Sequence, residues 1–151
     1  MDVAVTEAES SERDTFAQLL ELNAYEFSRI DSRVIGPDGR FGYEYLDAYW
    51  TEPHRTPYLL RVAEEIAGFA LISRLSGGPT SISEFLVLPK FRRTGVGTQS
   101  ARRLFDLHHG PWQVAQVPGN SAATHFWRHA IPVPYQEEVR TDGTVIQRFT
   151  T

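Results

Sequence analysis

Phe85-Leu86-Val87-Leu88-Pro89-Lys90-Phe91-Arg92-Arg93-Thr94-Gly95-Val96-Gly97-Thr98 carries an apolar strand through a short basic turn into a glycine-punctuated helix start. Residues of these types in this order suit a polyanion. The first backbone N–H groups of a helix lack intrahelical partners, and the macrodipole adds partial positive charge there, so phosphate is a natural guest. Gly95 and Gly97 let the backbone approach a diphosphate closely and adopt φ values that other residues avoid. Arg92 and Arg93, with Lys90 before them and Arg102 and Arg103 one to two turns later, are candidates for charge-assisted hydrogen bonds. These cations sit in a chain of formal net charge -4, so any attraction for a polyanion is local. The plainer alternative is an ordinary strand–turn–helix corner with solvated arginines.

Spacing excludes two familiar phosphate sites. A dinucleotide fingerprint needs Gly or Ala three residues after the second glycine, where Ser100 stands, and the triphosphate loop G-x-x-x-x-G-K-[ST] is absent. What remains is R-x-x-G-x-G after a strand ending in V-x-P, followed one strand later by Asn120-Ser121-Ala122-Ala123-Thr124-His125-Phe126-Trp127-Arg128. The first segment resembles motif A of the GNAT superfamily of acyl-CoA-dependent N-acetyltransferases. The second is similar to that superfamily's N-x-x-A/S-x-x-F-Y-x-[RK] stretch. An acidic residue ahead of F-L-V-L-P, with N-x-x-A-x-x-F later, is also similar to polyamine-acetylating members.

The resemblance implies a central mixed, mostly antiparallel sheet of about seven strands, splayed between strands 4 and 5 and flanked by about four helices, in the α/β (α+β) class. It implies acetyl-CoA as co-substrate, no metal, and an amine acceptor. Its pantetheine arm would lie between the splayed strands, bonded to backbone groups of Phe85, Leu86 and Val87 in the manner of an added strand. The diphosphate would rest on amides of Arg93, Thr94, Gly95, Val96, Gly97 and Thr98, with Arg92 near the turn. Ala123, Phe126 and Trp127 would complete the cofactor site. Asn120 would contact the pantetheine arm or position strand 5, the alternative being a plain helix cap. A homodimer is an option that the resemblance also carries.

Acyl transfer to an amine needs a base, a donor to the thioester oxygen and help for the departing thiolate. Glu84 is the candidate base, acting directly or through water. Simple alternation puts it on one face with Ile82, Leu86 and Leu88, where an unpaired carboxylate is costly to bury, so its pKa should rise or a partner should be present. The alternative is a salt-bridged or solvent-facing Glu near a strand end. A backbone N–H near Val87 is the candidate for polarising the thioester oxygen. Trp127 stands where many relatives carry a Tyr thought to assist the thiolate; an indole N–H donates a hydrogen bond but is not a useful acid. Tyr135 is the substitute candidate, and Trp127 reads as a pocket wall or a core aromatic.

His125 and His129, spaced i, i+4, lack the Glu of H-E-x-x-H and a third ligand, so no metal is expected. Tyr43, Tyr45, Tyr49, Trp50 and Tyr58, with Glu44 and Asp47, fall in the variable first third that shapes the acceptor pocket in such folds, or else form packing surface.

The elements that must position these residues follow from periodicity and punctuation. Val3 to Thr6 reads as a strand, and Ser10-Ser11 opens a helix bearing Phe16, Leu19, Leu20 and Leu22 that ends near Asn23 or runs to Ile30. A Gly/Pro/Asp-rich loop covers Asp31 to Gly42, and Tyr43 to Tyr49 is a short helix. Tyr58 to Val62 and Ile66 to Ser73 form a hairpin through Glu64-Glu65; Ser81 to Leu88 is the fourth strand. A helix from Gly95 stops at His108-His109-Gly110, Trp112 to Val117 is a strand, and Asn120 caps a helix to about Ala130. Tyr135 to Arg140 and Thr144 to Phe149 close the chain as a hairpin around Asp142-Gly143.

With 151 residues, 41% hydrophobic and 23% charged, the composition fits one domain spanning residues 1–151. The longest apolar runs, such as Ile66 to Ile72, are too short to span a membrane, and a cytoplasmic location is the default expectation. Zero cysteines exclude disulfides, thiolate zinc sites and a cysteine nucleophile. The acidic balance argues against a nucleic-acid partner. The expected function is transfer of an acetyl group from acetyl-CoA to the primary amine of a small molecule or peptide, directly in a ternary complex. The alternatives are a non-catalytic acyl-CoA-binding or regulatory module and, more weakly, a binder of another nucleotide.

Overall fold

The computed structural model describes residues 1–74 and 76–151. One mixed sheet carries the strands β1 (Ala4–Glu7), β2 (Arg55–Val62), β3 (Glu65–Ser73), β4 (Thr80–Val87), β5 (Pro111–Gln116), β6 (Gln136–Val139) and β7 (Val145–Thr150). Their spatial order is β1-β2-β3-β4-β5-β7-β6; β4 and β5 run parallel and every other neighbouring pair is antiparallel. The helices are α1 (Arg13–Phe27), α2 (Ala48–Thr51), α3 (Val96–Leu107) and α4 (Ser121–Ala130). Strand and helix order match the expectation from sequence.

The middle strands are apolar on both sides because helices cover both faces of the sheet. Leu59, Phe69, Leu71 and Leu86 pack with Phe16, Leu19 and Leu20 of α1 and Tyr49 of α2. Tyr58, Ala70 and Ile72, their neighbours in sequence, face the other way and pack with Ala101, Leu104 and Phe105 of α3 and Trp127 of α4. Gly68 is required by close approach: a Cβ there would lie 1.9 Å from the Leu86 carbonyl oxygen. β3 therefore sits hard against β4 within the candidate cofactor segment.

Two irregularities in β4 shape everything that follows. Leu71 pairs with Glu84 and Ile72 with Ile82, so Ser83 is an extra, unopposed residue, a β-bulge. Simple alternation therefore fails across it. Ile82 joins the α3/α4 core, whereas Glu84 and Leu86 turn toward α1, which corrects the expectation that Glu84 and Ile82 share a face. Just before the bulge, pairing with β5 stops. Only Thr80 and Ser81 find partners, Trp112 and Gln113, and beyond them the two strands diverge.

Smaller differences have local causes. α1 opens with a 3-10 turn, Ser10–Glu12, and ends at Phe27, between the two expected ends. The β2–β3 turn is Ala63-Glu64, both at positive φ as a tight two-residue hairpin demands, so Glu65 already belongs to β3. Tyr43 to Tyr49 is mostly turns; the helical residues are Ala48–Thr51. Tyr135 precedes β6 instead of starting it.

Candidate active site

The divergence of β4 and β5 opens a cleft of about 540 Å³ over the start of α3. Its walls are Phe85, Leu86 and Val87 of β4, Arg92, Arg93, Gly95, Gly97 and Thr98 of the turn and α3, Asn120, Ala123, Phe126 and Trp127 of the α4 segment, and Asn23, Glu26 and Phe27 of α1. Twelve of the predicted cofactor residues thus meet around one space. Two others do not line it with side chains. Val96 is fully buried in the core cluster of Leu60 and Phe91, and the Thr94 hydroxyl donates to the Phe91 carbonyl, so each has only its backbone amide to offer.

The α3 entrance is an open set of donors. Its first helical bond runs from the Gln99 N–H to the Gly95 carbonyl at 3.0 Å, which leaves the amides from Val96 to Thr98 without intrahelical acceptors. Gly95 has φ +88°, a left-handed conformation that suits glycine, and Arg93 takes φ +61° two residues earlier. Gly97 answers a different need. A Cβ there would come within 3.0 Å of the Phe126 ring, so the glycine lets α4 press against α3.

Of the five cations singled out by sequence, two line the cleft. Arg92 donates through Nε to the Val87 carbonyl at 2.8 Å and through Nη2 to Glu26 at 3.3 Å, tying the turn to β4 and α1. Arg93 has no hydrogen bond or ion pair among the described residues. Lys90 pairs with Glu65, Arg103 with Asp2 and the Val3 carbonyl, and Arg102 with the Ala130 carbonyl, which removes these three from the expected set.

A second cavity of about 240 Å³ opens beside the first, sharing Phe27, Phe85, Asn120, Ala123 and Trp127 with it as common lining. Glu84 lines this second space, with Arg33, Ser83, Val114, Gln116 and Val117. Burial raises the Glu84 pKa, while a hydrogen bond from Asn23 at 2.8 Å and the charge of Arg33 work against the rise. The net direction is upward, as desolvation of a half-buried carboxylate dictates. Gln116 is held by a reciprocal amide pair with buried Gln147, at 2.8 and 3.1 Å, and Gln147 also donates to Glu137. That side of the cavity is therefore rigid.

Trp127 is 5% exposed and packs edge-on against Phe85 and Phe126, so it is both core aromatic and cleft wall. Asn120 caps α4 by accepting from the Ala123 N–H at 3.3 Å and lines both cavities, so the cap and the site coincide. Tyr135 packs against the α3/α4 core and lines neither cavity. Tyr49 and Tyr58 are core residues, Tyr43 is pushed up in pKa chiefly by burial, and none of the expected aromatic group lines either space. His125 and His129 stand on the cleft rim with ring centroids 4.4 Å apart, and His129 Nδ1 is bonded to the His125 carbonyl.

Asn23, Arg33 and Gln116 escaped the sequence reading. Asn23 carried a signal, a polar residue in the apolar stripe of Phe16, Leu19, Leu20 and Phe27, whereas Arg33 lies in a loop and Gln116 on an alternating strand with nothing local to mark them.

A model of the acetyltransferase (GNAT) family matches residues 17–130. The chain belongs to that family. No curated protein matches the sequence. Solved structures agree on the fold: an acetyltransferase from Thermus thermophilus superposes with a TM-score of 0.76 at 13% identity, covering 100% of this chain and 98% of the other. The PaiA N-acetyltransferase from Thermoplasma acidophilum, in complex with coenzyme A, gives 0.72 at 8% identity over 100% of both chains. The ribosomal-protein-S18-alanine N-acetyltransferase from Escherichia coli gives 0.67 at 14% identity, covering 99% and 94%. Membership makes this an acetyltransferase-family enzyme. Among the described residues no helix is long and apolar enough to cross a membrane, and no group of three or more His, Cys, Asp or Glu is placed to hold a metal ion.

Proposed function

We propose that the whole chain acts as one N-acetyltransferase domain that moves an acetyl group from acetyl-CoA to the primary amine of a small molecule or peptide, directly and in a ternary complex. The observation that carries this reading is the departure of β5 from β4 after Ser81, which joins a helix entrance with open amides to a cavity holding a half-buried carboxylate. The donor set fits the cofactor: free amides from Val96 to Thr98 and the guanidinium of Arg93 suit a diphosphate, and the apolar walls Phe85, Phe126 and Trp127 suit a pantetheine arm. Acetyl-CoA supplies an acyl carbon open to attack and a thiol that leaves readily, its pKa being about 8.5 for a free thiol.

The residues divide the work. Glu84, with its pKa raised by burial, accepts the proton that the amine sheds as its nitrogen bonds to the acetyl carbon. The carbon–sulfur bond breaks with its electron pair going to sulfur. Asn23 holds the Glu84 carboxyl at 2.8 Å and so fixes the direction in which the base points. A backbone N–H near Val87, held in a rigid strand, stabilises charge growing on the thioester oxygen. Trp127 walls the site and keeps water from it.

One observation favours a second reading, a binder that has lost turnover: a buried Trp127 replaces the expected Tyr, and Tyr135 lies outside both cavities. Calorimetry with acetyl-CoA, ATP and NAD, followed by free-thiol release with a panel of amines, separates the readings. Of the three, acetyl-CoA alone should bind, with thiol release that Glu84→Gln lowers by about 10²–10⁴-fold. Absence of acetyl-CoA binding would sink the proposal, and binding without release from any amine would favour the binder.

A further inference from the structure

The second cavity says what kind of amine it takes, given that the acetyltransferase reading above holds. Its two charged lining side chains are of opposite sign, Glu84 and Arg33. They feel one another's charge, yet they form no ion pair among the described residues. Space therefore separates them. Asp31 offsets most of the Arg33 charge, so what the guanidinium brings to that space is chiefly spare N–H donors, which suit an anionic group and can accept nothing from a polycation.

Arg33 is set in place before anything binds. Asp31 grips it in a fork, Nε to Oδ1 at 2.9 Å and Nη2 to Oδ2 at 2.7 Å, and its guanidinium lies 5.2 Å from the centre of the Phe27 ring, itself part of the cavity wall. Five N–H groups sit on a guanidinium, and Asp31 takes two of them. Nη1 has no hydrogen bond among the described residues, so donors remain for a further anion. Holding the group still in advance lowers the ordering cost of recognition. The Arg33 side chain remains 38% exposed, so the fork and the ring orient it at the cavity without burying it.

The remaining polar lining is neutral. Gln116 spends its amide on Gln147, and Asn120 caps α4. At about 240 Å³ the cavity lies below the roughly 300–1,000 Å³ of drug-sized sites. We propose that the acceptor is a small amine carrying its own carboxylate, of the amino-acid class, with its nitrogen at Glu84 and its carboxylate on Arg33. Arg33 is then a specificity residue, and the similarity to polyamine-acetylating members noted in the sequence does not extend to the acceptor.

Matched pairs test this on the intact chain: L-phenylalanine against phenethylamine, L-lysine against cadaverine, and β-alanine against ethylamine, with spermidine as the polycation. Free-thiol release should show kcat/KM higher by about tenfold or more for the carboxylate-bearing member of at least one pair, the size expected of one charge-assisted contact. Arg33→Gln should erase that preference by raising KM for the amino acid more than for the partner amine, while the loss of its charge moves the Glu84 acid limb upward for both, and Arg33→Lys should restore part of the preference. Acetyl-CoA affinity by calorimetry should stay the same in both variants. Equal or faster turnover of the decarboxylated amines, preference for spermidine, an equal effect of Arg33→Gln on both members, or acetyl-CoA binding with no turnover of any pair would each overturn it. Failure to bind acetyl-CoA would overturn the reading beneath it instead.

Discussion

The cleft over α3 and the cavity beside Glu84 share five lining residues, yet they are assembled in different ways. Much of the larger is built from consecutive residues. Strand end, turn and helix start from Phe85 to Thr98 supply one wall, and α4 and α1 supply the others. The smaller cavity draws Phe27 from α1, Arg33 from a loop, Glu84 from the far side of a bulge and Gln116 from a divergent strand. What can be done with backbone amides is done locally. Recognition by opposed side-chain charges needs several elements and so is where relatives with one fold can differ.

The division can be broken one side at a time. Glu84→Gln is expected to have the largest effect, lowering kcat by about 10²–10⁴-fold, the usual contribution of a positioned base, with acetyl-CoA affinity unchanged by calorimetry. Loss of both together would mean that the two spaces are one site. The raised pKa of Glu84 also places the acid limb of kcat/KM at a higher pH than an ordinary Glu, about 4.3, would give, and the variant should lack that limb. Folding responds with the opposite preference. Because the folded state keeps this proton to higher pH than the unfolded chain, the stability it contributes is full below the unfolded pKa and is lost as pH rises through the folded one. At pH 7 Glu84→Gln should therefore melt no lower than wild type.

Arg93→Ala should raise the acetyl-CoA Kd by about tenfold or more, as expected for one charge-assisted contact, without moving the acid limb. Gly97→Ala pushes a Cβ against the Phe126 ring and should cost about 1–3 kcal/mol in chemical denaturation as an overpacked contact. Asn120→Ala, on the shared wall, should cost about 1 kcal/mol as a lost cap. Because Asn120 borders both cavities, that variant should weaken cofactor and acceptor binding together, whereas Arg93→Ala should touch the cofactor alone.

Most of the fold was legible because it rests on local regularities. Two-sided apolar strands, the glycines at the α3 entrance and the Asn120 cap each announce an element within a few residues. The errors trace to places where one residue changes the geometry of its neighbours. Ser83 bears no mark of a bulge, yet it reverses the side on which Glu84 lies relative to Ile82. Lys90, Arg102 and Arg103 look equivalent to Arg92 and Arg93 by spacing, but carboxylates and carbonyls distant in sequence claim them. Tyr135 is available by sequence as a substitute acid, but in the fold it precedes β6 and packs against the α3/α4 core.

The sequence by itself determined the order of elements, the glycine-marked helix entrance with its free amides and the candidacy of Glu84, because hydrophobic period, φ-permissive glycines and free helical amides are properties of short segments. Only the tertiary structure decided that β5 leaves β4 after Ser81, that Glu84 faces α1, and that Arg33 comes to the same cavity without neutralising it. Those facts depend on registers between strands and on loop placement, which are set by the packing of the whole sheet against its helices.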